Sequence, residues 1–212
     1  MINHKHKFIF IHIPRCGGNY INNYFNYDLG KIHRDKQNYE IDHYPLFRYK
    51  ELFSEEYAKY YKFAFVRNPW DRLVSDFYYR KHGKEAGGMW GPDNRFIDTK
   101  HLSFREYILE IDKKFHLVDS LIMKNQWLVS HFMSCYDYIK PVENLNNICR
   151  IENFESDLKG VCKDLNVPLF VGKKINKTNH DYYTKYYDEE TKQIVAEKYA
   201  KDIEYFGYEF GK

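Results

Sequence analysis

Cysteine is scarce in this chain: there are four, Cys16, Cys135, Cys149 and Cys162, and no two stand at C-x-x-C spacing. This argues against a disulfide framework or a structural zinc site and suits the reduced thiols of a cytoplasmic protein. An excess of either charge is also lacking. Lys and Arg number 33 against 30 Asp and Glu, a net charge of +3. General attraction to nucleic acid is therefore not expected, and any anion site has to be local. No stretch approaches the roughly 18 consecutive apolar residues that argue for a membrane span. Met1 to Lys7 is polar and leads straight into a strand-like run, so no secretory signal is expected. No repeat, low-complexity tract or linker interrupts residues 1–212, which read as a single domain. His, Asp and Glu show no metal-ligand spacing, so no metal is expected.

What the chain has in abundance is aromatic rings: 21 Tyr and 16 Phe in a 19% aromatic composition. One core of this size does not hold them all, so some are expected on the surface or along a groove. Phe77-Tyr78-Tyr79 and Met89-Trp90-Gly91 are candidates to stack on sugar rings.

Phe8 to Ile13 is an apolar run of β-formers and predicts a buried strand. Pro14 ends it, Arg15 to Gly18 make a turn, and a short helix follows over about Tyr20 to Tyr27, stopped by Gly30. Phe63 to Arg67 predicts a second strand. Asn68 can cap the next helix, Pro69 suits its first position, and Asp71 complements its dipole. Trp70, Leu73, Val74, Phe77 and Tyr78 give that helix one apolar face, with Arg72, Ser75 and Tyr79 on another. Residues 80–102 lose all periodicity and predict a long acceptor or lid loop. Ser103 and Glu106 form a capping box before the stripe Phe104, Tyr107, Ile108, Ile111 and Phe115. A helix over Asp119–His131, strands at Tyr136–Ile139 and Ile148–Ile151, a helix over Phe154–Leu165 and a last helix over Glu189–Tyr205, capped by Asp188, complete the reading. Strands alternating with helices predict an α/β fold with a central parallel sheet flanked by helices.

Two segments carry the chemistry. In the first, the glycines of Pro14-Arg15-Cys16-Gly17-Gly18-Asn19 let backbone N–H groups converge on an anion, and Arg15 adds a planar cation. A tight turn with a solvated arginine fits the same residues equally well. No G-x-x-x-x-G-K-[ST] is present, so this is not a Walker loop. In the second, Arg67 stands at the carboxyl end of a strand, where open α/β sheets bind ligands. Ser75 follows about two helical turns later. Pairing of Arg67 with Asp71, and an ordinary helical serine at 75, are the alternatives.

Together these segments resemble the carbohydrate-type sulfotransferases that use 3′-phosphoadenosine 5′-phosphosulfate (PAPS), the heparan sulfate 2-O and chondroitin type, with I-P-K-T-G-G-T-S and F-V-R-N-P-W-D-R-L-V-S. The second matches Phe65-Val66-Arg67-Asn68-Pro69-Trp70-Asp71-Arg72-Leu73-Val74-Ser75 almost letter for letter. Arg150-Ile151-Glu152-Asn153-Phe154 resembles the family's R-x-E-N-[LF]. The likeness continues in Asn176-Lys177-Thr178 and from Tyr187 to Tyr208, spanning residues 8–210 and weakest across 80–130.

The resemblance implies a P-loop-like three-layer fold and an EC 2.8.2-type transferase passing a sulfuryl group from PAPS to a hydroxyl, leaving PAP. Carbohydrate or glycolipid is the acceptor class it suggests. It places Arg15, Cys16, Gly17, Gly18, Asn19 and Tyr20 on the 5′-phosphosulfate, Arg67 and Ser75 on the 3′-phosphate, and Asn176, Lys177 and Thr178 near the nucleotide. Arg15 stands where the family usually has lysine, and Cys16 where it has threonine. Arginine can perform the lysine's electrostatic work on the leaving phosphate. His43, upstream of the second strand, is the candidate general base, because related enzymes carry a histidine in a similar stretch and imidazole titrates near neutrality. His12 and His33 are weaker candidates. A nucleotide-dependent small-molecule kinase and a non-catalytic PAP- or nucleotide-binding protein of the same fold are the competing readings.

Overall fold

A computed structural model describes residues 1–25, 43–82, 96–118, 129–169 and 180–212. The first stretches hold β1 (Ile2–Asn3), β2 (Phe8–Ile11), α1 (Gly18–Tyr24), α2 (Leu46–Leu52), α3 (Ser54–Lys59), β3 (Tyr61–Val66) and α4 (Pro69–His82). There follow α5 (Phe104–Lys114), α6 (Cys135–Ile139), β4 (Asn147–Arg150), α7 (Phe154–Asp164), α8 (Glu189–Lys198) and α9 (Ala200–Phe206). They segregate into two compact units, residues 1–67 with 135–175 and residues 68–134 with 176–212.

The first unit is a mixed α/β layer built on a four-stranded sheet in the order β1-β2-β3-β4. β2, β3 and β4 run parallel, and β1 pairs antiparallel at the edge. Phe8 to Ile11 are all buried, as a strand covered on both faces requires. Phe8 pairs with Tyr61, and Phe63 with Asn147, so the carboxyl ends of all three parallel strands reach one edge. From that edge leave the segment to Arg15, the step to Arg67, and the turn Ile151–Asn153.

The second unit is helical. Asn68 caps α4 as expected: its side chain accepts from the Trp70 N–H at 3.1 Å. Ser103 and Glu106 form the full capping box of α5. Arg72 and Ser75, on the face of α4 away from its apolar stripe, are buried as well, each 1% exposed. Arg72 donates from Nη1 to the Met133 carbonyl at 2.8 Å and from Nη2 to the His131 carbonyl at 3.0 Å. Satisfied in this way, a guanidinium can be buried. Next to Ser75, Asp76 is fully buried and takes the Arg80 Nε–H at 2.6 Å, the Tyr107 hydroxyl at 2.7 Å, and His131 Nδ1–H. Burial alone would raise the Asp76 carboxyl, but Arg80 and His131 outweigh it and hold the group far below the usual carboxylate range.

Three elements differ from the sequence reading. Tyr136–Ile139, expected as a strand, belongs to α6, because Cys135, Tyr138 and Ile139 turn inward at helical spacing. The helix expected over Asp119–His131 ends earlier, with Val129 still helical and a turn over residues 130–133, and its residues 119–128 lie outside the described ones. The last helix divides at Tyr199, which leaves helical geometry while its buried hydroxyl donates to the Phe132 carbonyl at 3.0 Å. Helices α2 and α3 had no counterpart in the sequence reading. No helix among the described residues is long and apolar enough to cross a membrane.

Asp76→Asn leaves Arg80 and His131 facing a neutral group, and urea denaturation is expected to show a loss of about 3–5 kcal/mol. A depressed carboxylate stabilises the fold above its ordinary pKa and loses that contribution as pH falls. The wild-type stability curve is therefore expected to drop more steeply below about pH 4 than that of the variant.

Candidate active site

The loop between β2 and α1 is tightly wound. Arg15 holds a left-handed backbone at φ 66°, and Gly17 another at φ 77°. For arginine this conformation is uncommon and strained, and such strain concentrates at ligand-binding sites. The Cys16 N–H donates to the Ile13 carbonyl at 3.2 Å, and its side chain is fully buried. Cys16 thus shapes the turn from inside. Gly18 and Asn19 open α1, and a helix's first turn leaves its N–H groups without intrahelical acceptors.

Both glycines are fixed by their surroundings. A Cβ at Gly17 would come within 2.8 Å of Ile151 Cδ1 and 3.1 Å of Phe154. A Cβ at Gly18 would lie 1.7 Å from His12 Nε2. Tyr20 stands edge-on to Phe154, ring centroids 5.0 Å apart. Arg67 completes the cluster by donating from Nη1 to the Arg15 carbonyl at 3.0 Å. Three sequence motifs, at 15–20, 67 and 150–154, are therefore in direct contact within the first unit.

His43 stands beside the same loop. Its Nδ1 lies 3.0 Å from the His12 carbonyl. A carbonyl only accepts, so Nδ1 carries the hydrogen, and the neutral ring has its lone pair on Nε2. This is the tautomer a general base acting through Nε2 needs. The His12 ring packs against His43 with centroids 4.3 Å apart.

The second unit contains Ser75, buried on α4 immediately before Asp76. Asn176, Lys177, Thr178 and His33 lie outside the described residues, as do residues 83–95 of the expected loop. Of the rings proposed for sugar stacking, those of Phe77, Tyr78 and Tyr79 are engaged internally, and Met89-Trp90-Gly91 lies outside the described residues. Phe77 is buried, Tyr78 stacks with both His82 and His180, and Tyr79 stacks with His131. Among the described residues no group of three or more His, Cys, Asp or Glu is placed to hold a metal.

The sequence assigns no role to Ile151 or Phe154 as packing partners of the loop, and it offers His12 only as a weaker candidate base. The one signal for His12 was a polar residue inside an otherwise apolar strand run. Asp76 was legible only as an acid four residues before Arg80.

A family model described as "Sulfotransferase family" matches residues 1–209. A protein of Archaeoglobus fulgidus, named only as uncharacterized, is 28% identical over 130 residues, covering 59% of this chain and 84% of that protein. No solved structure matches the chain.

Gly18→Ala drives a methyl group into the His12 ring and is expected to cost about 1–3 kcal/mol in thermal or urea denaturation. Shortening His12 to Ala in the same chain removes the clash. The double variant is expected to lose clearly less than the sum of the two single ones.

Proposed function

The chain belongs to the sulfotransferase family, and on that premise we propose that it transfers a sulfuryl group from PAPS to a hydroxyl of a carbohydrate or similar acceptor, working in the cytoplasm as one sulfotransferase-like domain. The observation that carries this reading is the bond from Arg67 to the Arg15 carbonyl. It joins the two segments whose resemblance points to the 5′- and 3′-phosphates of one nucleotide. The parallel order β2-β3-β4, with the loop leaving the carboxyl end of β2, supports a P-loop-like architecture.

When bound, PAPS supplies an activated sulfuryl group whose departure leaves negative charge on a phosphate. The residues of this chain fit the needs of such a transfer, which are positioning and charge stabilisation. Arg15 offers a planar, permanently charged fork to the leaving phosphate. The backbone of Gly17, Gly18 and Asn19 cradles the same group, with Cys16 and Tyr20 shaping the loop around it. Arg67 binds the 3′-phosphate through its guanidinium. His43 takes the acceptor proton at Nε2 while its Nδ1–H stays on the His12 carbonyl. Ser75 in the second unit, and Asn176, Lys177 and Thr178, enter this assignment through the motif resemblance alone.

Calorimetric titration with PAP, ADP and ATP tests the donor site. PAP is expected to bind more tightly than either, and Arg67→Ala to weaken it by about ten- to a hundredfold, as loss of charge-assisted hydrogen bonds does. Preference for ADP or ATP would replace this reading with the kinase one. Arg15→Ala is expected to bind PAP with a modest deficit but to lose roughly 3–4 kcal/mol of transition-state stabilisation, read as the rate of PAP release from PAPS in single turnover. Wild-type turnover in that variant would remove Arg15 from its role.

A further inference from the structure

We infer that His12 is a positioning residue that makes the placement of His43 depend on what occupies the Arg15–Tyr20 loop. The inference rests on the reading that this loop holds the donor and that His43 is the base.

Three contacts carry it. The His12 ring fills the space a Gly18 side chain would need, with Nε2 1.7 Å from where that Cβ would stand. The same ring lies against His43, centroids 4.3 Å apart and planes at 51°. The His12 carbonyl holds His43 Nδ1 at 3.0 Å. One residue therefore touches the loop backbone with its ring and the base with both ring and main chain. It is 4% exposed, and Phe10 stacks behind it at 5.7 Å and 21°. A wedge backed in this way has little room to absorb a displacement, because protein interiors are close-packed. With no side chain at residue 18, any shift of the loop backbone bears directly on the imidazole and, through it, on His43. The ligand class that would drive the shift is a phosphate or phosphosulfate seated in the loop.

Nuclear magnetic resonance on the full chain, with labelled glycine and histidine, tests this using PAP as the probe. In the wild type, the Gly17 and Gly18 amides and the His43 ring signals are expected to move with one PAP midpoint. In His12→Ala the glycine amides still respond but the His43 response is lost, although the backbone carbonyl at residue 12 still holds Nδ1–H. His12→Phe, which restores a planar wedge, is expected to recover the response. If His12→Ala does not fold, His12→Leu fills the volume without a planar face and carries the same expectation. Glycine amides that move while wild-type His43 does not would overturn the coupling and leave the donor site standing. A His43 response that survives in His12→Ala, or in His12→Leu, would also overturn it. No response at either place would sink the donor-site reading and this inference together.

Discussion

A side chain at residue 17 or 18 has nowhere to go, and the candidate site depends on that steric constraint. Ile151 and Phe154 close in on Gly17, and the His12 ring closes in on Gly18. The loop is thereby held between the ends of β2 and β4, with Arg67 at the end of β3 bonded across to the Arg15 carbonyl. Parallel pairing brings those three strand ends to one edge, and the left-handed turns at Arg15 and Gly17 then fold the loop over it. Preorganisation of this kind places charge and backbone donors before a ligand arrives, which is what transfer of a charged group demands.

The second unit obeys an electrostatic constraint. Asp76 is a carboxylate with no exposure, tolerable only because three donors converge on it from α4, α5 and the turn at 130–133. Arg72 holds the same turn by its carbonyls. Much of the motif that reads as nucleotide recognition is thus scaffold. Asn68 caps α4, Trp70 Nε1 donates to the Lys192 carbonyl at 3.1 Å, and Arg72 fastens a turn. The letters of such a motif are held in place by packing needs as well as by ligand chemistry.

Legibility in the sequence followed the range of the interaction. Caps and turns are settled by neighbours three or four residues apart, so the Asn68 and Ser103 caps and the buried strand at Phe8 were readable directly. The strand expected at Tyr136–Ile139 failed because the four residues Tyr-Asp-Tyr-Ile are too few to distinguish a strand's alternation from a helix's period, and the inward turn of Cys135, Tyr138 and Ile139 belongs to a helix. The burial of Arg72 on α4 was illegible for a related reason. Arg72 and Ser75 are polar by composition, yet partners roughly sixty residues away in sequence bury Arg72 with its hydrogen bonds met.

By itself the sequence determined the chemical parts: a glycine-rich turn after a strand, an arginine at the end of another, a capped helix, and a family membership that spans residues 1–209. Each is a local pattern or a string that can be matched. Only the tertiary structure decided which parts meet. That Arg67 bonds to the Arg15 carbonyl, that His43 carries its hydrogen on Nδ1, and that His12 is wedged between His43 and Gly18 all depend on packing between strands and loops distant in the chain. Side-chain contacts at that separation are set by the fold as a whole, and no spacing within the sequence encodes them.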